Sequence, residues 1–158
     1  MKLRKYSHGG AKPERFLLLL WVFRLMREES RRWLEEARWD LDTAKMLHEN
    51  GRYNAACFYA QQAAEKAMKA LIYGLNEAPW GHSVRILLER YLERSGDKAA
   101  EKLLNDAREL DRHYIPSRYP NAHPSGTAHE AYDSETSGKA LKCAQRIIDF
   151  VSKRLSEL

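Results

Sequence analysis

Residues 112–128 read RHYIPSRYPNAHPSGTA, a stretch with two arginines, two histidines and three prolines but no carboxylate. Arg118 and His123 stand within it with four residues between them, Tyr119, Pro120, Asn121 and Ala122. A guanidinium grips a phosphate through two parallel hydrogen bonds, and imidazole is the side chain that exchanges a proton near neutral pH. Together they are equipped for phosphodiester chemistry that needs no metal ion. Arg118 and His123 are therefore the candidate catalytic residues, with Arg112, His113, Tyr119 and Asn121 as candidate contacts to the substrate. The plainer reading is an arginine that closes a loop on backbone carbonyls beside a solvated turn histidine.

Other chemistries find less support. His113, His123 and His129 do not have the three- or four-residue helical spacing of metal ligands, and no thiolate stands beside them. No glycine-rich phosphate loop and no Gly-x-Ser-x-Gly elbow occurs, so no cofactor is implied and nucleotide hydrolysis and serine-hydrolase chemistry are disfavoured. Cys57 and Cys143 lie far apart, each in an apolar helical pattern, as befits two buried thiols in a reducing cytoplasm.

The elements that must position the loop are helical. Leu34, Ala37, Leu41 and Ala44 recur at helical spacing over about residues 28–49, and Asn50 with Gly51 stops that helix. Residues 54–73 are alanine-rich on two flanks and predict a central helix that touches neighbours on both sides. Tyr53, Phe58, Tyr59 and Tyr73 around it have the rings to stack bases but at helical spacing read first as core or dimer-interface aromatics, and Glu65, Lys66 and Lys69 read as its solvated face. His82 and Ser83 precede a third helix, where capping is the default role for both and catalysis the minority reading for His82. A fourth helix runs through Ala100, Leu103, Ala107, Leu110 and Tyr114, and a fifth starts near Asp133 or Ser134. No strand pattern appears, so the expected fold is all-α, an up-and-down bundle of four to five helices. The link before the last helix would be about 18–20 residues without regular structure, a length usually kept for function.

The chain has 158 residues and a formal charge of +5. The excess sits in residues 1–32, with nine Lys/Arg against three Asp/Glu, while the rest is close to neutral. Any affinity for RNA must then come from local clusters such as residues 112–129. Residues 16–23 form an apolar run too short to span a membrane, which needs about 20 residues. The division read from the sequence is an N-terminal extension over 1–27 and a helical domain over 28–158, in a cytoplasmic protein with no membrane partner. The run at 16–23 reads as an amphipathic anchor, a dimer contact, or sequence ahead of a start at Met26.

Residues 33–41 (WLEEARWDL), 51–71 (GRYNAACFYAQQAAEKAMKAL), His82 with Ser83, and 114–120 (YIPSRYP) together resemble the HEPN domain of archaea and bacteria. The resemblance covers about residues 28–155, and the QQAAEKA run is its most specific part. It implies a helical bundle that dimerises, often beside a minimal nucleotidyltransferase acting as antitoxin. It also implies a metal-independent, toxin-type endoribonuclease whose Arg and His, with four to six residues between them, meet those of the partner subunit in a dimer cleft. Arg118 and His123 fit that spacing. Tyr119 and Pro120 depart from it, since active members usually carry a polar residue after the arginine. Position 125 is serine where some family toxins have tyrosine. The alternative within the family is a non-catalytic nucleotide-binding or protein-interaction module paired with such a nucleotidyltransferase.

Overall fold

The computed structural model describes residues 13–158 as five α-helices, with no strand among the described residues. They are α1 (Pro13–Glu49), α2 (Tyr53–Gly74), α3 (Val84–Ser95), α4 (Leu104–Asp111) and α5 (Ser134–Ser156). The all-α bundle expected from periodicity is what forms.

Helix α1 begins at Pro13, earlier than the helical spacing from residue 28 predicts, and runs unbroken through Met26. Proline suits a first helical turn, and nothing between it and Asn50 breaks a helix. The bundle takes hold of α1 at Ser30, whose hydroxyl donates to the Ala70 carbonyl (2.7 Å). Upstream of that point Phe16, Leu17, Leu18, Leu19, Leu20, Trp21 and Phe23 are all exposed. At its other end α1 stops at Gly51, whose φ of +71° only glycine adopts without strain. The Arg52 amide then donates to the Leu47 carbonyl (2.8 Å), closing the turn that folds α2 back on α1.

Helix α2 is the centre of the molecule and packs against α1, α3, α4 and α5. Ala56, Ala60, Ala63, Ala64, Ala67 and Ala70 are all fully buried. Their small side chains let flanking helices approach to the close end of the usual interaxial range. Met68, Leu71 and Ile72 fill the space between the helices and join Leu87, Leu88, Leu110, Ile147 and Val151 in one core. Cys57 and Cys143 are buried there, and burial pushes their thiols up to about 12 and about 11.

The short helices are tied together at their ends. Ser83 caps α3 by accepting from the Ile86 amide (3.1 Å) and donates to Asp111 Oδ2 (2.6 Å). Asp111, at the end of α4, also accepts from the amides of Val84 (2.8 Å) and Arg85 (3.1 Å). One carboxylate thus satisfies orphan amides of α3 and fixes α3 to the end of α4. The expected fourth helix begins as a 3-10 turn at Lys98–Leu103 and becomes α-helical only from Leu104. The link from α4 to α5 is likewise more ordered than expected. It is a series of backbone turns followed by 3-10 turns at Pro120–Ala122 and His129–Ala131. Asp133 then caps α5 by accepting from the Thr136 amide (2.8 Å).

Candidate functional site

The turn after α4 is docked on the start of α2. Asn54 Nδ2 donates to the Ser117 carbonyl (3.0 Å), and the buried Ser117 hydroxyl donates to the His113 carbonyl. The backbone that carries Arg118 therefore cannot drift away from the bundle.

Arg118 is exposed, and its Nε donates to the Tyr114 carbonyl (2.9 Å). Its guanidinium carbon lies 4.5 Å from the ring centre of Phe58, 4.7 Å from Tyr114 and 5.1 Å from Tyr119. Three aromatic rings hold the cation, and no carboxylate among the described residues pairs with it. The two terminal nitrogens are left to meet an anion.

His123 is half-buried, and its Nε2 lies 2.7 Å from the Pro116 carbonyl. A carbonyl only accepts, so Nε2 carries hydrogen and Nδ1 holds the lone pair of the neutral ring. Edge-on packing against Tyr132, at 6.3 Å between ring centres, fixes the imidazole plane. Arg118 and His123 are thus anchored on carbonyls two residues apart, those of Tyr114 and Pro116, which the chain separates by at most about 7 Å. Both side chains are anchored on the backbone of one turn.

The flanking candidates divide. Tyr119 is exposed beside the Arg118 guanidinium, and Asn121 is exposed on the following 3-10 turn. Arg112 points elsewhere, its Nη1 3.3 Å from Glu109 Oε2. His113 is only 6 % exposed and faces inward, with Nδ1 3.1 Å from the Tyr132 hydroxyl. It backs Tyr132, which in turn backs His123, and does not reach the surface. Burial holds its pKa below the ordinary 6.5, against the pull of Glu109.

That shift has a consequence for stability. Below pH 6.5 the unfolded chain takes up a proton at this position that the folded chain resists. The stabilisation is complete above that value and declines as the pH falls through it. The melting temperature is expected to fall between neutral pH and about one unit below the ordinary histidine value. In His113→Gln the fall should be smaller. An equal fall in both proteins would assign the pH dependence to other groups.

Sequence reasoning missed a second group of residues. Glu65 and Lys69 are not on a solvated face: they are 4 % and 8 % exposed. Packing on every side of α2 covers its polar stripe as well as its alanines. Lys69 Nζ pairs with Glu65 Oε1 (2.8 Å) and lies 5.2 Å from the ring centre of Trp33. Lys66 is covered in part and pairs with Asp40 Oδ2 (2.6 Å). His82 does not cap α3, because Ser83 and Asp111 do. Instead its Nδ1 lies 3.3 Å from Glu65 Oε1, and its ring stacks on Tyr114 at 5.5 Å and 12°. Phe58, Tyr114 and Tyr132 belong to the site, and only their nearness in space to Arg118 and His123 marks them.

The described residues form a helical bundle that carries an aromatic-caged arginine and an oriented histidine on the turn after α4. The sequence pattern of the HEPN domain matches residues 30–155, and the chain belongs to that family. It is similar to a Thermus thermophilus protein of known crystal structure, with 44% identity, a TM-score of 0.75, and coverage of 78% of this chain and 96% of that one. The structure of an archaeal HEPN homologue aligns at 33% identity and a TM-score of 0.67, covering 80% of this chain and 97% of that one. An HEPN domain protein of Thermotoga maritima aligns at 35% identity and a TM-score of 0.65, covering 80% and 99%. A Methanocaldococcus jannaschii protein named "putative toxin" is 26% identical over 132 residues, 78% of this chain and 86% of that protein. No helix among the described residues is long and apolar enough to cross a membrane.

Proposed function

We propose that this HEPN protein is a metal-independent endoribonuclease of the toxin type, with Arg118 and His123 as its catalytic pair. The observation that carries the reading is their common anchorage. Both side chains are held by backbone carbonyls of one turn, with the guanidinium ends and Nδ1 left open. In the reaction His123 Nδ1 takes the proton of a ribose 2′-hydroxyl, and Arg118 stabilises the charge that grows on the phosphoryl oxygens. Tyr119 and Asn121, exposed alongside, are the substrate contacts that remain of the four expected from sequence.

The test is incubation of the purified protein with structured RNA in EDTA. Cleavage that survives chelation and leaves a 2′,3′-cyclic phosphate supports the reading. RNA left intact favours the second reading, a module that binds a nucleotide without cutting it, for which the rings of Phe58, Tyr114 and Tyr119 around Arg118 are suited.

The proposal extends to a homodimer and to a minimal nucleotidyltransferase as antitoxin partner, in the cytoplasm. The alanines of α2 are buried inside the subunit. What is exposed instead includes Trp39, Met46, Trp80, Ile86, Ile115 and Tyr119. Of these, Ile115 and Tyr119 flank Arg118 on its own turn, where a partner subunit would complete a cleft. Light scattering at tens of micromolar is expected to give twice 18.4 kDa, that concentration being ample for a modest interface. A monomer mass would remove the dimer cleft from the mechanism.

A further inference from the structure

The ribonuclease reading leaves one proton unassigned. His123 Nδ1 is a single base, and the departing 5′-oxygen also needs a proton. We propose that His82, positioned by Glu65, is the general acid that protonates this leaving group. The proposal rests on the ribonuclease reading and adds a catalytic residue to it.

Glu65 is almost fully buried on α2, yet it presents Oε1 to the His82 Nδ1 at 3.3 Å. A carboxylate only accepts, so Nδ1 carries hydrogen and Nε2 is the nitrogen left to exchange a proton. The His82 side chain is 64 % exposed, over an open cleft that it shares with Tyr114, Arg85 and Asp111. Helix capping at this point falls to Ser83 and Asp111, which leaves the His82 ring free of that duty.

Tyr114 connects this imidazole to the catalytic pair. Its ring carries the His82 ring at 5.5 Å and the Arg118 guanidinium at 4.7 Å, and its carbonyl accepts from Arg118 Nε. The two steps place His82 within about 10 Å of the guanidinium, a span that a nucleotide held by base and backbone contacts bridges. A separation of that size admits a phosphate between the Arg118 guanidinium and His82.

The roles of the two are set by their partners. The charges facing His82 are Glu65 and Lys69 from α2 and Arg85 and Asp111 across the cleft, with Tyr114 beneath. Glu65 is the one in direct contact, and its Oε1 holds the Nδ1 hydrogen, so Nε2 is the nitrogen left to act. The direct contacts of His123 are a neutral carbonyl and the perpendicular ring of Tyr132. In the step, the O2′–P bond forms and the P–O5′ bond breaks. The 2′ proton passes to His123 Nδ1, and the proton on His82 Nε2 passes to the departing 5′-oxygen. The products are a 2′,3′-cyclic phosphate and a 5′-hydroxyl, and solvent resets both rings.

The experiment compares the full chain and its variants on two versions of one RNA oligonucleotide, with oxygen or with sulfur bridging phosphorus and the 5′-carbon. A thiolate leaves without being protonated, so the sulfur substrate does not need the acid. His82→Ala is expected to cut the oxygen substrate about 100-fold more slowly than wild type and the sulfur substrate within a few-fold of it. Glu65→Gln should lose about tenfold on oxygen, with the same recovery on sulfur, while Arg118→Ala stays slow on both. His82→Ala that matches wild type on oxygen, or is equally slow on both substrates, overturns the acid role and leaves the Arg118–His123 reading intact. Wild-type protein inactive on both substrates overturns that reading and this one with it. Because the His82 side chain is mostly exposed, His82→Ala should melt with wild type, which separates a chemical loss from a folding one.

Discussion

Arg118→Ala and His123→Ala are each expected to lower RNA cleavage in EDTA by about 100-fold or more, the usual scale for a lost charge-stabilising or acid–base group. Neither change should disturb the fold. Arg118 is exposed, and the turn that carries it is pinned by Asn54 and Ser117, not by its own guanidinium. Arg118→Lys should also fail. Lysine has no Nε–H for the Tyr114 carbonyl, no planar face for the rings of Phe58 and Tyr119, and no fork for two phosphoryl oxygens. Retention of activity in the lysine variant would mean that the arginine supplies charge alone. Cleavage untouched by either alanine would move the active site away from this turn.

The extent of this site that sequence reveals follows from what spacing can encode. Arg118 and His123 lie on one loop, so their partnership is local and visible as a spacing. The periodic apolar positions of α2, α3 and α5 are visible for the same reason, since one helix writes its buried face at three- and four-residue intervals. Glu65 and His82 meet across a helix face and an inter-helix loop, and no pattern in either segment announces the contact. His113 looks like a loop cation in sequence. Its inward turn is decided by Tyr132, nineteen residues on. Glu65 and Lys69 look solvated because a polar pair one helical turn apart usually is. Only the central position of α2, covered on its polar as well as its apolar side, makes them buried. The early start of α1 is legible afterwards as the absence of any helix breaker between Pro13 and Asn50, but the amphipathic spacing that marks a helix begins only where the bundle does, near Ser30.

The same central position makes α2 the place where the fold is most easily weakened. Leu71 is 1 % exposed and belongs to the core shared by all five helices. Truncation to alanine removes apolar area from water-free surroundings and leaves a void that neighbours fill only in part, for a combined cost of about 3 kcal/mol. Collapse into the void is hindered because α1, α3, α4 and α5 all bear on α2, so a helix that closed on the gap would part from another neighbour. For a chain of this length each kcal/mol moves the melting temperature by roughly 2–4 °C, which gives Leu71→Ala a fall of about 10 °C. Met46→Ala, at an exposed position on α1, should stay within about 0.5 kcal/mol of wild type. Thermal unfolding followed by far-ultraviolet circular dichroism separates the two. A Leu71→Ala protein that melts with wild type would show that the α2 layer repacks freely. The pinning of the Arg118 turn through Asn54 on that helix could then not be counted as rigid.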